Sequence, residues 1–502
     1  MGDGVKKKGF KMPSSFTVLF LIILVIAALT WIVPGGAYET QENPNTGRIE
    51  NIPGTYQVAE EQTPQGLWDV AMAPIRGMIG SGGAIEVGLF ILVIGGFLGV
   101  VAATGAIDAG IGSIVKKNKG REKWLIPILM IIFALGGTTY GMAEETMPFY
   151  ALLIPVMIVA GFDTIVAIAI VLIGSGVGVL GSTVNPFATG VASQAVGLSP
   201  GDGIGWRLLI LVLSLVFSIW YVWRYAAKVE KDKRNSIVDD YEADKKNFAL
   251  TETTTEMTGR QRAVMWLFGL SFVIMVISLI PWDMINDKWT FFVKLHDWLM
   301  GIPVLGNVLG SSSIALGEWY FEEITMLFLV MAILIGLVYG MKEGQIVENF
   351  LIGAKDLLSV ALIVGLARGI QVVMTDGQMT ATVLNWGSTL LEGMSPAIFS
   401  VLTFIFYIPM SFLIPSTSGL ASATMSIMGP LGEMIGVHAS VVITAFQSAS
   451  GIVNLVTPTS AVVMGALAIG RVDYGKWLKF TWPLLAGLFL ISAGVIAIAA
   501  IV

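Results

Sequence analysis

The sequence predicts an all-α integral membrane protein of two inverted structural repeats, each with a re-entrant hairpin and a broken transmembrane helix. Three observations predict it. First, 55% of the 502 residues are apolar and only 13% charged, against about 25% charged in an ordinary soluble domain. Second, two long stretches, 164–201 and 434–470, hold no Asp, Glu, Lys or Arg. Third, each is broken near its middle by Gly, Ser and an X-Pro pair, Asn185-Pro186 in one and Thr457-Pro458 in the other. A helix needs ~20 apolar residues to cross a bilayer. Breaking one at mid-membrane frees backbone N–H and C=O groups, which is tolerated only against a buried polar cavity. Two such breaks in corresponding halves point to a secondary transporter with a midplane site.

The elements follow in order. Lys6, Lys7, Lys8 and Lys11 precede an apolar run from Phe16 to Val33. That run is longer than a signal-peptide core and lacks a small-x-small cleavage site, so it reads as an uncleaved first span. Spans are expected near 16–34 and 87–104, then hairpin arms at 124–139 and 147–160, a broken helix over 163–198 and a span at 205–226. Residues 1–226 thus form the N-terminal membrane repeat. The stretch 227–262 carries eight basic and eight acidic residues and reads as a cytoplasmic linker. The C-terminal repeat, 263–502, has spans near 263–281, 324–341 and 357–375, a hairpin over 396–437, a broken helix over 438–468 and a last span at 477–501.

Basic residues mark the cytoplasmic side. The N-terminal lysines, the 105–123 loop and the 227–262 linker are therefore inside. The 36–86 loop, with only Arg48 and Arg76, and the Trp-rich 282–322 loop are outside. The N-terminus is expected in the cytoplasm and the C-terminus outside, in a bacterial plasma membrane.

The halves share punctuation. Pro155 and Gly161 are spaced as are Pro430 and Gly436. A shift of 275 also sets Ser175-Gly176 on Ser450-Gly451, Gly190 on Gly465 and Asp163 on His438. Earlier, Leu89-Phe90 matches Leu327-Phe328 at a shift of 238. The difference is about one span, placed at 357–375, whose extra crossing would invert the second half.

Composition excludes several classes. The chain has no cysteine and two histidines, His296 and His438, so no metal or cofactor site is expected. Its formal charge of −6 argues against a nucleic-acid partner. No His-Glu-x-x-His run or nucleophile elbow is present, and an enzyme is not expected.

Candidate site residues lie at the breaks and hairpin tips. Asn185 and Thr457 are good N-cap types and the following Pro suits a first helical position. Each pair predicts a new half-helix whose N–H groups would hold a carboxylate, flanked by Thr183 and Thr459, with Asn454 nearby. The first tip, 136–146, holds Thr138, Thr139 and the adjacent acids Glu144 and Glu145, which favour a cationic group. The second, 415–419, offers the hydroxyls of Ser416, Thr417 and Ser418. Arg368, inside a proposed span, is expected to form a structural pair with an acid such as Asp376 or Glu433.

The runs 136–146, 182–190, 365–371, 412–421 and 445–460 resemble, in order, the YfcC family, related to anaerobic C4-dicarboxylate carriers of the ion transporter superfamily. The chain looks most similar to the branch of arginine–ornithine antiporters of Gram-positive bacteria. The resemblance implies two re-entrant hairpins, two broken helices, a homodimeric scaffold in the lipid bilayer, and arginine–ornithine exchange at the tips and breaks. The alternative is a cation-coupled C4-dicarboxylate symporter. One departure bears on this. Where family members carry a Gly-Asp-Gly-like element after Ala-Phe-Gln, this chain has Ser448-Ala449-Ser450-Gly451, with no acid. That fits an exchanger driven by its own substrate gradients.

Overall fold

A computed structural model describes residues 15–42, 49–80, 84–107, 109, 122–198, 200–238, 241, 257–280, 282 and 288–502. The N-terminal lysines, most of the 105–123 loop and residues 239–240 and 242–256 of the charged linker lie outside the described residues. Among those described, eight helices are long and apolar enough to cross a bilayer.

The first half begins with α1 (Ser15–Leu29). Short strands β1 (Gly36–Ala37), β2 (Thr40–Glu42), β3 (Ile49–Asn51) and β4 (Gln57–Val58) follow, pairing β1 with β4 and β2 with β3. Then come α2 (Leu67–Ile79) and α3 (Ile85–Ala103). The hairpin arms are α4 (Leu125–Tyr140) and α5 (Met147–Val159). The broken helix is α6 (Thr164–Gly181), a π-turn over Pro186–Gly190, and α7 (Val191–Ala195). Helix α8 (Ile204–Lys231) closes the half.

Next are α9 (Gly259–Leu279), the short α10 (Phe291–Met300) and α11 (Pro303–Leu309), and α12 (Phe321–Tyr339). Three helices then precede the second hairpin: α13 (Glu343–Asp356), α14 (Leu358–Asp376) and α15 (Met379–Leu391). The hairpin is α16 (Pro396–Leu413) and α17 (Thr417–Met434). The second broken helix is α18 (Ala439–Asn454) and α19 (Ala461–Gly470), and α20 (Tyr474–Ala499) ends the chain.

The expected span at 357–375 exists as α14. It packs on α1, α2 and α3, while α13 packs on α3. The contacts are reciprocal. A Cβ on Gly77 of α2 would lie 2.7 Å from the backbone of Gly365 and Gly369 in α14. A Cβ on Gly353 of α13 would meet the backbone of Gly95 and Gly99 in α3, the latter at 2.9 Å. Small residues here let helices approach to backbone contact, the main packing device where lipid supplies no hydrophobic drive. Phe90 of α3 and Phe328 of α12, which the 238 shift matches, face each other, ring centroids 6.3 Å apart.

The two uncharged stretches form the centre. Nearly every residue of α6 and α18 is buried. They are free of charge because protein surrounds them, and they cross at small residues. Gly176 lies against Leu455 and Gly451 against Leu180, pairs that the 275 shift interchanges. Both are opened by side-chain caps where the punctuation placed them. Asp163 accepts from Val166 N at 3.0 Å and His438 Nδ1 from Ser440 N at 3.3 Å. Each hairpin ends in a left-handed glycine, Gly161 (φ 88°) and Gly436 (φ 84°), a backbone geometry that side chains resist.

Candidate functional site

The first break is built around Asn185. Helix α6 stops at Ser182, held left-handed at φ 38°. Asn185 Oδ1 then accepts from Phe187 N at 2.9 Å and from Ala188 N at 3.3 Å, capping the resumed half-helix as the Asn-Pro pair predicts. Gly141, the left-handed end of α4, packs on the Asn185 amide; a Cβ there would come within 2.8 Å of it. Thr138 and Thr183 do not face the cavity. Their hydroxyls bond at 3.0 Å, and Thr138 Oγ1 accepts from Thr183 N at 2.9 Å, tying tip to break. Thr139 bonds back to Leu135 O within α4. The α4 helix thus runs deeper into the predicted tip than the sequence suggested, and these threonines are braces.

Across the molecule, Gln447 of α18 reaches this break. Its Nε2 donates to Gly181 O at 2.9 Å, and its Oε1 accepts from Thr189 Oγ1 at 2.6 Å. A buried amide thereby satisfies a carbonyl that the break orphans, as burial requires.

The second break differs from expectation. The half-helix starts at α19, with Ser460 as the cap, its Oγ accepting from Val463 N at 3.5 Å. Thr457 precedes the cap and is buried in a local turn, 2.6 Å from Thr459 Oγ1. It borders a separate apolar pocket with Phe412, Trp482 and Phe489. A Thr-Pro pair resembles a cap, but a second cap-competent residue three positions on takes the role. Two aromatics of α20 complete the break: Tyr474 OH donates to Val456 O and Trp477 Nε1 to Leu455 O.

Between breaks and tips lies a cavity of about 210 Å³. Glu144 and Glu145 line it from the first tip and Ser416, Thr417 and Ser418 from the second; Asn185, Asn454 and Thr459 line it from the broken helices. Glu145 is 6% exposed and accepts from Ala143 N at 2.9 Å. Ser416 caps α17 through Gly419 N at 3.2 Å, and Thr417 Oγ1 is 3.4 Å from Ser450 Oγ.

Sequence reasoning assigned Arg368 elsewhere. It does not pair with Asp376, which takes Arg76 at 3.0 Å, nor with Glu433, which accepts from Ala439 N at 2.7 Å. Arg368 lines the cavity, and its Nη1 donates to Gln371 Oε1 at 3.0 Å. Tyr320, from the end of the Trp-rich loop, was missed altogether; it also lines the cavity, with the Phe187 ring tilted against it, centroids 5.3 Å apart. Nothing in the sequence around Tyr320 sets it apart from the other aromatics of that loop. No cluster able to hold a metal ion occurs among the described residues.

The cavity thus brings charges of both signs to the two broken helices. Residues 12–501 match the family DcuC, C4-dicarboxylate anaerobic carrier. The chain belongs to that family. It is a multi-pass membrane transporter of the DcuC/YfcC class, not an enzyme. A relative in Haemophilus influenzae (strain Rd), named only as an uncharacterized protein, is 31% identical, covering 98% of each chain. The Escherichia coli (strain K12) protein named "Putative basic amino acid antiporter YfcC" is 28% identical, covering 97% of this chain and 96% of its own. Among solved structures, the Alcanivorax borkumensis YdaH transporter has a TM-score of 0.45 at 14% identity, covering 97% of this chain and 98% of its own. Neisseria gonorrhoeae MtrF, described as one of a class of antimetabolite efflux pumps, has a TM-score of 0.44 at 14% identity, covering 98% and 96%.

Proposed function

We propose that the protein exchanges basic amino acids across the membrane, arginine against ornithine, by alternating access at this cavity. The observation that carries the reading is the cavity's charge. Two carboxylates, Glu144 and Glu145, share it with one guanidinium, Arg368. With all three ionised the sum is −1, which complements the single net positive charge of arginine or ornithine. A C4-dicarboxylate would bring two more negative charges beside two acids, a repulsive arrangement in a site screened from water. The name of the Escherichia coli relative supports a basic amino acid; the family's name supports the alternative, a cation-coupled dicarboxylate symporter.

Alternating access in this reading rests on two inverted halves, 1–226 and 263–502, joined by the linker 227–262. The interchangeable contacts of Gly176 with Leu455 and Gly451 with Leu180 support a two-fold relation. Charge supports inversion: 198–204 has no basic residue, whereas Arg471, Lys476 and Lys479 flank the equivalent connection. The chain has no cysteine, so single probes are clean. A cysteine at Gly201 should label from outside and one at Asp473 from inside; labelling of both from one face contradicts inversion.

Counterflow in proteoliposomes tests the exchange. Vesicles loaded with ornithine should accumulate labelled arginine without any imposed ion gradient. Uptake of succinate that requires a cation gradient, with no arginine counterflow, selects the alternative.

A further inference from the structure

A transporter for an amino acid must hold a carboxylate as well as a cationic end. The half-helix N-termini are obvious donors, yet here their own side chains take part of that capacity. Asn185 takes Phe187 N and Ala188 N, and Ser460 takes Val463 N. A charged partner would hold the carboxylate more firmly than the remaining N–H groups.

Arg368 has the required properties. It sits in the middle of α14, a helix apolar enough to span the bilayer, where a charge is costly and is retained for a purpose. Among the described residues it forms no ion pair, and its one side-chain partner is the neutral Gln371. A guanidinium carries five donors in a planar fork that matches a carboxylate. Gln371 also aims it: its Nε2 lies beside Gly419 of the second tip. The backbone on either side is clamped, with Gly365 and Gly369 pressed onto α2 at Gly77. Glu144 and Arg368 border the same cavity without closing a direct pair. That leaves room for a solute bearing both charges between them.

We propose that Arg368 is the carboxylate anchor of the transported solute, a specificity-determining residue that works opposite the Glu144–Glu145 pair. This deepens the proposed function and rests on it for the cationic end only. Loss of the anchor removes affinity for the carboxylate and leaves the cationic end held.

The test is equilibrium binding to the purified full chain in detergent, with arginine, agmatine (arginine without its carboxylate) and succinate as probes. Wild-type protein should bind arginine at least about tenfold more tightly than agmatine, the factor expected of a charge-assisted bonded pair. Arg368→Gln should erase that preference by weakening arginine alone, and Arg368→Lys should restore part of it. Equal affinity of the wild-type protein for arginine and agmatine overturns the anchor, with no variant needed. So does unchanged arginine binding in Arg368→Gln. If the wild-type protein binds succinate and not arginine, and Arg368→Gln loses succinate, the anchor stands and the basic-amino-acid reading falls.

Discussion

The two helix breaks occupy matching positions but are held in different ways. The first, at 182–185, is stitched from across the molecule: Gln447 of the other half bonds Gly181 O and Thr189, and Thr138 of the hairpin bonds Thr183. The second, at 455–460, is held from within its own half, through the Thr457–Thr459 turn, the bond of Thr459 Oγ1 to Phe412 O of the hairpin at 3.4 Å, and the aromatics Tyr474 and Trp477 of the next helix. Both breaks and both tips border the one cavity. The difference teaches that two breaks matched in position can solve the orphaned-carbonyl problem with different side chains. It also separates structural polar residues from those facing the cavity, which sequence position alone does not.

The largest expected effect is on the acidic side. Glu144→Gln or Glu145→Gln removes a charge partner of a desolvated cation, a loss on the order of 3 kcal/mol, so arginine affinity should fall ~10²-fold. Titration of each folded variant checks this; wild-type affinity in both would remove the acids from the site. The hydroxyl tip should matter less: Ser418→Ala is expected to cost under about tenfold, as one neutral hydrogen bond does.

The next effect concerns the stitch. Gln447→Leu leaves Gly181 O and Thr189 Oγ1 without their long-range partner, at a cost of about 2 kcal/mol. Thr459→Ala at the second break should cost less, since its one long-range bond, to Phe412 O, is 3.4 Å long and its other hydroxyl partner is the neighbouring Thr457. Thermal unfolding of the two variants measures the contrast, and equal losses would erase the distinction between the breaks.

The last contrast, within the same range, compares the two crossing glycines. A Cβ on Gly451 meets the Leu180 backbone at 2.4 Å, which cannot move cheaply, whereas on Gly176 it meets the tip of the Leu455 side chain at 2.3 Å. Gly451→Ala should therefore destabilise by about 1–3 kcal/mol, and Gly176→Ala by less, since Leu455 can change rotamer.

Much of the architecture was legible because it is written in short-range punctuation. Asp163, His438 and Asn185 cap where residue type and spacing place them, and Gly161 and Gly436 end their hairpins. What was not legible depended on partners far away in sequence. Helices α2 and α13 are short and carry charges such as Asp69, Arg76, Glu343 and Lys355, so nothing local marks them as packed against α14 and α3. Arg368 was assigned to an acid because a buried charge must be compensated; that Arg76 already holds Asp376 is a fact of three dimensions. Thr457 was favoured by its proline, and Ser460 won the cap because the helix restarts three residues later.

The central claim is that the cavity selects by charge, and a pair of near-isosteres tests it most directly. Citrulline matches arginine in length and carboxylate but replaces the guanidinium with a neutral ureido group. Competition binding to the wild-type protein should rank arginine and ornithine well above citrulline, by ~10²-fold if the acids are desolvated partners, with succinate not competing. Equal displacement by citrulline, or displacement by succinate ahead of arginine, would contradict the account.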